Sequence, residues 1–262
     1  MTTVSSNESL SSAMGTEQRY IYAVLVADSG MPEGLPDGLS GAGLEWVVEG
    51  QVAAVVSGVK GKKLRPRRAH LKAHHGVISA LMDHCTVLPM SFGIVSDDPA
   101  EVRSFLRDHQ DLLLQQLSVV RGHVEIGLRV KVDVEDIFSF VVERSAELRA
   151  TRDRYFADGR EPSREEKIEL GRQFTRALDT MRENALDDLD RYLVDATSRV
   201  RKNDPRTEQE FANIALLVPR DGVDAFEEAV ARAAAPFEDA FIFSLTGEMA
   251  PYSFVDIQIT SN

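Results

Sequence analysis

"LPMSFGIVSDDPAEV" (residues 88–102) decides how this chain is read, because the hydrophobic period changes inside it. The first half is an apolar, proline-containing run of strand character. The second half is a helix start. Asp98 suits the N-cap, Pro99 the first helical position, where a missing N–H is no loss, and Glu101 completes an aspartate form of the capping box. Val102, Phe105, Leu106, Leu112, Leu113 and Leu117 then recur at helical spacing and give the helix its buried stripe. The junction holds none of the nucleophile, base or metal-ligand groupings that an enzyme would need there.

Upstream, "YIYAVLVA" from Tyr20 is a short apolar run of β-formers and predicts a buried strand. A Gly- and Pro-rich loop follows, and "LEWVVEGQVAAVVS" reads as two strands turning at Glu49, Gly50 and Gln51. From about Pro66 to Cys85 the period is helical, with Leu71, Ile78, Met82 and Cys85 on one face and His74 or His75 on or beside it. Downstream, "GHVEIGLRVKVD" alternates Val124, Ile126, Leu128, Val130 and Val132 against Glu125, Arg129 and Lys131, the pattern of a half-buried strand. Strands and two helices in this order predict an α+β fold, with a modified ferredoxin-like domain over residues 19–134. The Ser-rich residues 1–18 are expected to be a disordered tail.

Residues 135–203 are charged and helical, punctuated by Asp158, Gly159 and Pro162, with Ser163 and Glu166 forming a second capping box. Ile168 and Leu170 lead into Phe174, Leu178, Met181, Ala185, Leu189, Tyr192, Ala196 and Val200, which follow at spacings of three or four and predict a helical hairpin with a narrow seam. "FANIALLVP" then reads as a strand, Val223, Phe226, Val230 and Ala233 as one face of a short helix, and "DAFIFSLTG" as a strand. Val255, Ile257 and Ile259 alternate in a last strand. Residues 204–262 are thus expected to form a smaller α+β unit, and 135–262 a C-terminal domain.

With 262 residues, 43% hydrophobic and 27% charged, the chain is long enough for a real core and two modest domains. No run approaches the roughly 18 apolar residues of a membrane span, and the N-terminus has neither basic nor apolar leader character, so a cytoplasmic protein is expected. The single Cys85 fits a reducing compartment, and its place at the end of an apolar stripe predicts burial. A net charge of −12 argues against nucleic acid as the main ligand. One segment opposes that average: "KGKKLRPRRAHLK" (residues 60–72) has seven Lys or Arg and no acid, so without it the formal charge would be −19. It is a solvated segment or a docking patch for an acidic partner, in which Lys62, Lys63, Arg65, Arg67 and Arg68 would take part.

The remaining chemistry is sparse. His70 and His74 are four apart, as zinc ligands on a helix are. No Glu stands between them as a base, His84 and Cys85 lie almost three turns away, and the adjacent cationic run would repel a metal ion, so no metal or cofactor is expected. There is no GxGxxG, Walker A, GxSxG or CxxC motif, and the glycines of "GVKGKKL" lack P-loop spacing. Asp97 with Asp98 and Asp187 with Asp188 fall at a cap and on an exposed helix face, not in an apolar pocket that would raise a carboxyl pKa. The residues point to a binding module rather than an enzyme.

"HGVISALMDHCTVLPMSFGIV" from His75 and "GEMAPYSFVDI" from Gly247 carry the argument further, because together they resemble the paired signatures of the gas vesicle accessory proteins of the F and L type. The order of the flanking strands matches as well, from "YIYAVL" to "FANIALLVP". Ser91 stands where that family has a basic residue, and Glu248, Met249 and Ala250 where it has Pro-Trp-Pro. The resemblance implies a non-enzymatic, wall-associated assembly factor that binds the major shell protein and other accessory proteins. No nucleic acid or membrane partner is implied. It puts forward Pro89, Phe92, Pro251, Tyr252 and Phe254, with the basic residues, as partner-binding positions, and "LPMSFG" as part of a sheet that receives a partner. The alternatives are a ligand-sensing ferredoxin-like domain and an enzyme with an unrecognised site.

Overall fold

The computed structural model describes residues 18–59 and 64–256. The chain forms two compact units, one running through Arg121 and resuming at Ala250, the other spanning Gly122–Met249.

The first unit is built on β1 (Gln18–Val26), β2 (Leu44–Glu49) and β3 (Val52–Val59), followed by α1 (Arg68–Met82), β4 (Leu88–Pro89), β5 (Val95–Ser96), α2 (Pro99–Asp108) and α3 (Gln110–Val120). Its sheet is antiparallel in the order β2-β3-β1-β4, with β5 also on β1. The β2–β3 hairpin closes through Gly50 and Gln51. Gly50 has φ 58°, the left-handed value that a two-residue hairpin turn requires and that glycine adopts without penalty. A bulge between Ile21 and Ala23 shifts which side chains of β1 share a face. One face packs Tyr20, Tyr22, Leu25 and Val55 against Val77, Ile78 and Leu81 of α1. Each such aliphatic side chain contributes about 1.5–3 kcal/mol by leaving water. The other face carries Ile21, Val24, Ala54 and Val56, and α2 and α3 supply the buried Val102, Leu106, Leu113 and Leu117.

The second unit contains β6 (His123–Val132), α4 (Ile137–Arg144), α5 (Ala146–Tyr155), α6 (Arg164–Leu193), β7 (Arg199–Lys202), β8 (Glu210–Pro219), α7 (Val223–Ala234) and β9 (Phe241–Leu245). The strand order β7-β8-β6-β9, antiparallel throughout, is the split β-α-β arrangement of a ferredoxin-like fold. The α+β class is as the sequence implies.

Several local expectations change. The strand at 123–132, placed by its alternation in the first domain, is the centre of the second sheet, where it pairs with β8 and β9; the division falls after Arg121, not at 134. Alternation reports a half-buried strand but not its partner. "VLPMSFGIV" is two short strands rather than one, because Pro89 has no N–H to donate and Gly93 turns the chain at φ 99°. The helix from Pro99 breaks at His109, whose ring nitrogen Nδ1 lies 3.0 Å from the Phe105 carbonyl. Asp98 caps α2 by accepting from Ala100 N–H at 2.8 Å, while Glu101 reaches past it to the Asp97 N–H and the Ser96 hydroxyl. Helix α6 ends at Leu193, so Val200 lies on an exposed strand instead of a helical seam, and Ile168 and Tyr192 are exposed as well. Residues 252–254 form a single turn of 3₁₀ helix. The expected tail through residue 17, Lys60, Lys62 and Lys63, and Ile257 and Ile259 lie outside the described residues.

Candidate functional site

Three distant stretches meet in the first unit around His74. On β1, Tyr20 and Tyr22 are fully buried, and a buried hydroxyl needs a partner. The Tyr20 hydroxyl lies 2.8 Å from His74 Nδ1 and accepts from the Gly93 N–H at 3.3 Å. Tyr252 brings its hydroxyl within 3.3 Å of His74 Nε2, so both imidazole nitrogens are engaged by tyrosines. The Phe92 ring stands edge-on to His74 with centroids 5.7 Å apart, and Tyr22 stacks on the imidazole at 5.9 Å. Beyond them, the Tyr22 hydroxyl accepts from Leu39 N–H at 2.7 Å and meets the Ser57 hydroxyl at 3.0 Å. The loop passes so close that a Cβ on Gly38 would sit 2.5 Å from the Tyr22 oxygen.

Burial pushes the His74 pKa down to about 4, helped by the charge of His75, so the ring is neutral at physiological pH. Burial likewise raises Tyr20 and Tyr22. A neutral imidazole between two protonated phenols is suited to holding chain segments together. The Phe92 loop and the Pro251–Tyr252 turn are thereby tied to the core.

The basic segment has a different character. Arg65, Arg67, Arg68 and Lys72 are exposed, and none makes an ion pair among the described residues. α1 begins at Arg68 with no side-chain cap and no acid in its first turn, so these cations add to the positive end of the helix dipole. His70 braces the segment, with Nδ1 3.2 Å from the Arg65 carbonyl and Nε2 3.5 Å from the Ser40 hydroxyl.

The positions proposed from sequence thus fall into two groups. Pro89 is buried on β4 opposite Ala23, Pro251 is buried, and Phe92, Tyr252 and Phe254 are half-buried, so this group belongs to the packing of the first unit. Arg65, Arg67 and Arg68 are on its surface. "LPMSFG" is an interrupted sheet edge, not a continuous one open to a partner strand. Sequence reasoning missed Tyr20 and Tyr22. Two tyrosines alternating inside an otherwise aliphatic strand were the available signal, since each demands a polar neighbour.

Cys85 is half-buried, donates to the Leu81 carbonyl at 3.4 Å, and has its thiol pKa raised by burial. Among the described residues no three His, Cys, Asp or Glu side chains come together as a metal site, and no helix is long and apolar enough to cross a membrane. A cleft of about 350 Å³ in the second unit is lined by Arg182, Glu183, Lys202, Asp204, Phe211 and Asn213. Arg182 there donates to the carbonyls of Thr207, Glu208 and Glu210, and Lys202 pairs with Asp190 at 2.8 Å.

Residues 18–256 match the family model described as gas vesicle synthesis protein GvpL/GvpF. The chain belongs to this family. Gas vesicle protein F of Streptomyces sp. (strain CB03234) is 30% identical over 246 residues, covering 90% of this chain and 99% of that protein. Gas vesicle protein L of the same strain is also 30% identical, over 269 residues, covering 93% and 95%. The crystal structure of GvpF from Anabaena sp. PCC7120 superposes with a TM-score of 0.80 at 22% identity, over 93% of this chain and all of that one. GvpF from Microcystis aeruginosa gives 0.77 at 21% identity. The GvpL/GvpF chain is therefore a gas vesicle accessory protein with the fold of its structurally known relatives.

Proposed function

We propose that this protein is a non-catalytic assembly factor that binds the major gas vesicle shell protein, together with other accessory proteins, in the cytoplasm and at the growing wall. The observation that carries the reading is the family match across nearly the whole described chain. The physics is consistent with it. A shell subunit with an apolar face exposes aggregation-prone surface before it is built in, and a partner with net charge −12 keeps such a complex dispersed. Arg65, Arg67 and Arg68 are offered to an acidic partner surface as steering charges. Pro89, Phe92, Pro251, Tyr252 and Phe254 support that surface from within. Co-expression with the shell protein and affinity capture tests the proposal. Recovery of the shell protein is expected, with less of it as aggregate. Failure to recover it, together with unchanged vesicles in a deletion strain, overturns the reading.

A further inference from the structure

Among the described residues the two sheets have four outer edges, and three of them are guarded. β2 carries Glu45 and Glu49, the latter held by Arg107 of α2 at 2.8 Å. The β4/β5 edge contains Pro89 and is interrupted between Pro89 and Val95. β7 reads Arg-Val-Arg-Lys and is exposed along its length. Charges, proline and breaks are the usual means by which edges refuse a foreign strand. β9 has none of them. It reads Phe-Ile-Phe-Ser-Leu, with Ile242 47% and Leu245 39% exposed, and Met249 beyond it 38% exposed.

Its free hydrogen-bonding groups follow from the register. Ala240 accepts from Asp133 N–H at 2.8 Å and Thr246 N–H donates to Gly127 at 2.9 Å, so even-numbered residues face β6. By alternation Phe241, Phe243 and Leu245 turn their backbone groups outward. The Phe241 N–H is taken by Glu238, whereas the N–H and C=O groups of Phe243 and Leu245 have no partner among the described residues.

We infer that the outer edge of β9 is a docking site for an extended apolar strand of a partner protein that carries Lys or Arg at its ends. Charge selects this occupant. Asp239 and Glu248 stand exposed at the two ends of β9 without ion pairs among the described residues. A strand with basic flanks meets an acid at each end. A second copy of β9, paired antiparallel about Phe243, would instead set acids against acids. The inference deepens the assembly-factor reading and rests on it for the identity of the partner, not for the chemistry of the edge.

The test uses the full chain and two synthetic peptides, Lys-Val-Thr-Val-Thr-Val-Lys and the same sequence with Glu at both ends, read by hydrogen exchange at individual amides. The Lys-flanked peptide is expected to slow exchange at Phe243 and Leu245 by about tenfold or more at saturation, with β7 unaffected and a weaker effect at high salt. The Glu-flanked peptide is expected to do little. Leu245→Pro removes an outward donor and leaves the β6 ladder intact, so it should abolish the effect while β6 amides stay protected; Ile242→Lys is the second variant should Leu245→Pro unfold. No protection at β9, equal protection by both peptides, or protection that grows with protein concentration alone overturns the proposal. A parallel capture of co-expressed shell protein separates the two readings. Capture by wild type with about tenfold less by Leu245→Pro supports both. Equal capture by both overturns the edge and leaves the assembly role. No capture by wild type removes the assembly role, and the peptide result still decides the edge.

Discussion

In the first unit the polar groups that shape the structure are inside. Tyr20, Tyr22, Ser57 and His74 form a buried network with one charge-bearing member, kept neutral by its surroundings. In the second unit Glu125, Thr151, Glu210 and Asn213 are buried as well, but the long helix takes its polar contacts at the surface. α6 has a capping box at Ser163 and Glu166 and a series of ion pairs, among them Arg176 with Glu169 and Arg191 with Asp188, over a narrow stripe of buried Leu170, Leu178, Leu189 and Leu193. Buried hydrogen bonds lack a competing solvent, so losing one leaves a group unsatisfied, whereas exposed pairs are replaced by water and ions. Equal numbers of polar contacts therefore imply unequal consequences.

The largest effect is expected from Tyr22→Ala. It deletes a fully buried ring and orphans the Leu39 N–H and Ser57 hydroxyl, so a loss of about 3–5 kcal/mol should appear as a lower denaturant midpoint. A loss below about 1 kcal/mol would show that the buried network does not hold the first unit together.

His74 gives the next largest. Its pKa is about 4 in the folded chain against an ordinary 6.5, so the unfolded chain binds the proton more readily. Its contribution is complete above pH 6.5 and is lost as pH falls toward 4. The stability advantage of wild type over His74→Gln should shrink by up to about 3 kcal/mol across that window. Parallel curves from pH 7 to 4 would contradict the buried, neutral assignment.

Ser163→Ala should cost about 1 kcal/mol, the usual value of a lost N-cap, read as a modest fall in Tm. A cost as large as that of Tyr22→Ala would mean that the exterior of the second unit is as consequential as the interior of the first.

How legible each region was follows the same division. The Ser163 box, the Gly50 turn and the strand at 210–219 were readable because local spacing determines them. The α+β class followed from the succession of periods. The partner of the strand at 123–132 was not readable, because its alternation is satisfied equally in either sheet. Nor was the meeting of Tyr20, His74 and Tyr252, which are separated by 54 and 178 residues. The resemblance puts the motifs at 88–93 and 251–254 forward as partner-binding surface, and much of what they do is tie the chain to itself. The open edge at β9 was invisible, since "FIFSL" has the same composition whether it lies in the middle of a sheet or at its border.

The smallest effect has the opposite sign. α1 starts with Arg67 as an uncapped N-cap and Arg68 at the first helical position, without an acid in that turn. Positive side chains at this end oppose the helix dipole, so Arg68→Glu should raise stability by about 0.3–1 kcal/mol at low salt, with the gain fading as salt is added. A cation that opposes the helix dipole at this position adds nothing to folding, in keeping with the steering role proposed for Arg65, Arg67 and Arg68. The same substitution should then slow association with the shell protein while leaving dissociation nearly unchanged, since exposed charges act chiefly on encounter. Thermal melts and binding kinetics at two salt concentrations measure both. If Arg68→Glu lowers Tm, the basic run is structural; if it raises Tm and leaves the association rate unaltered, the run is a solvated segment without a partner.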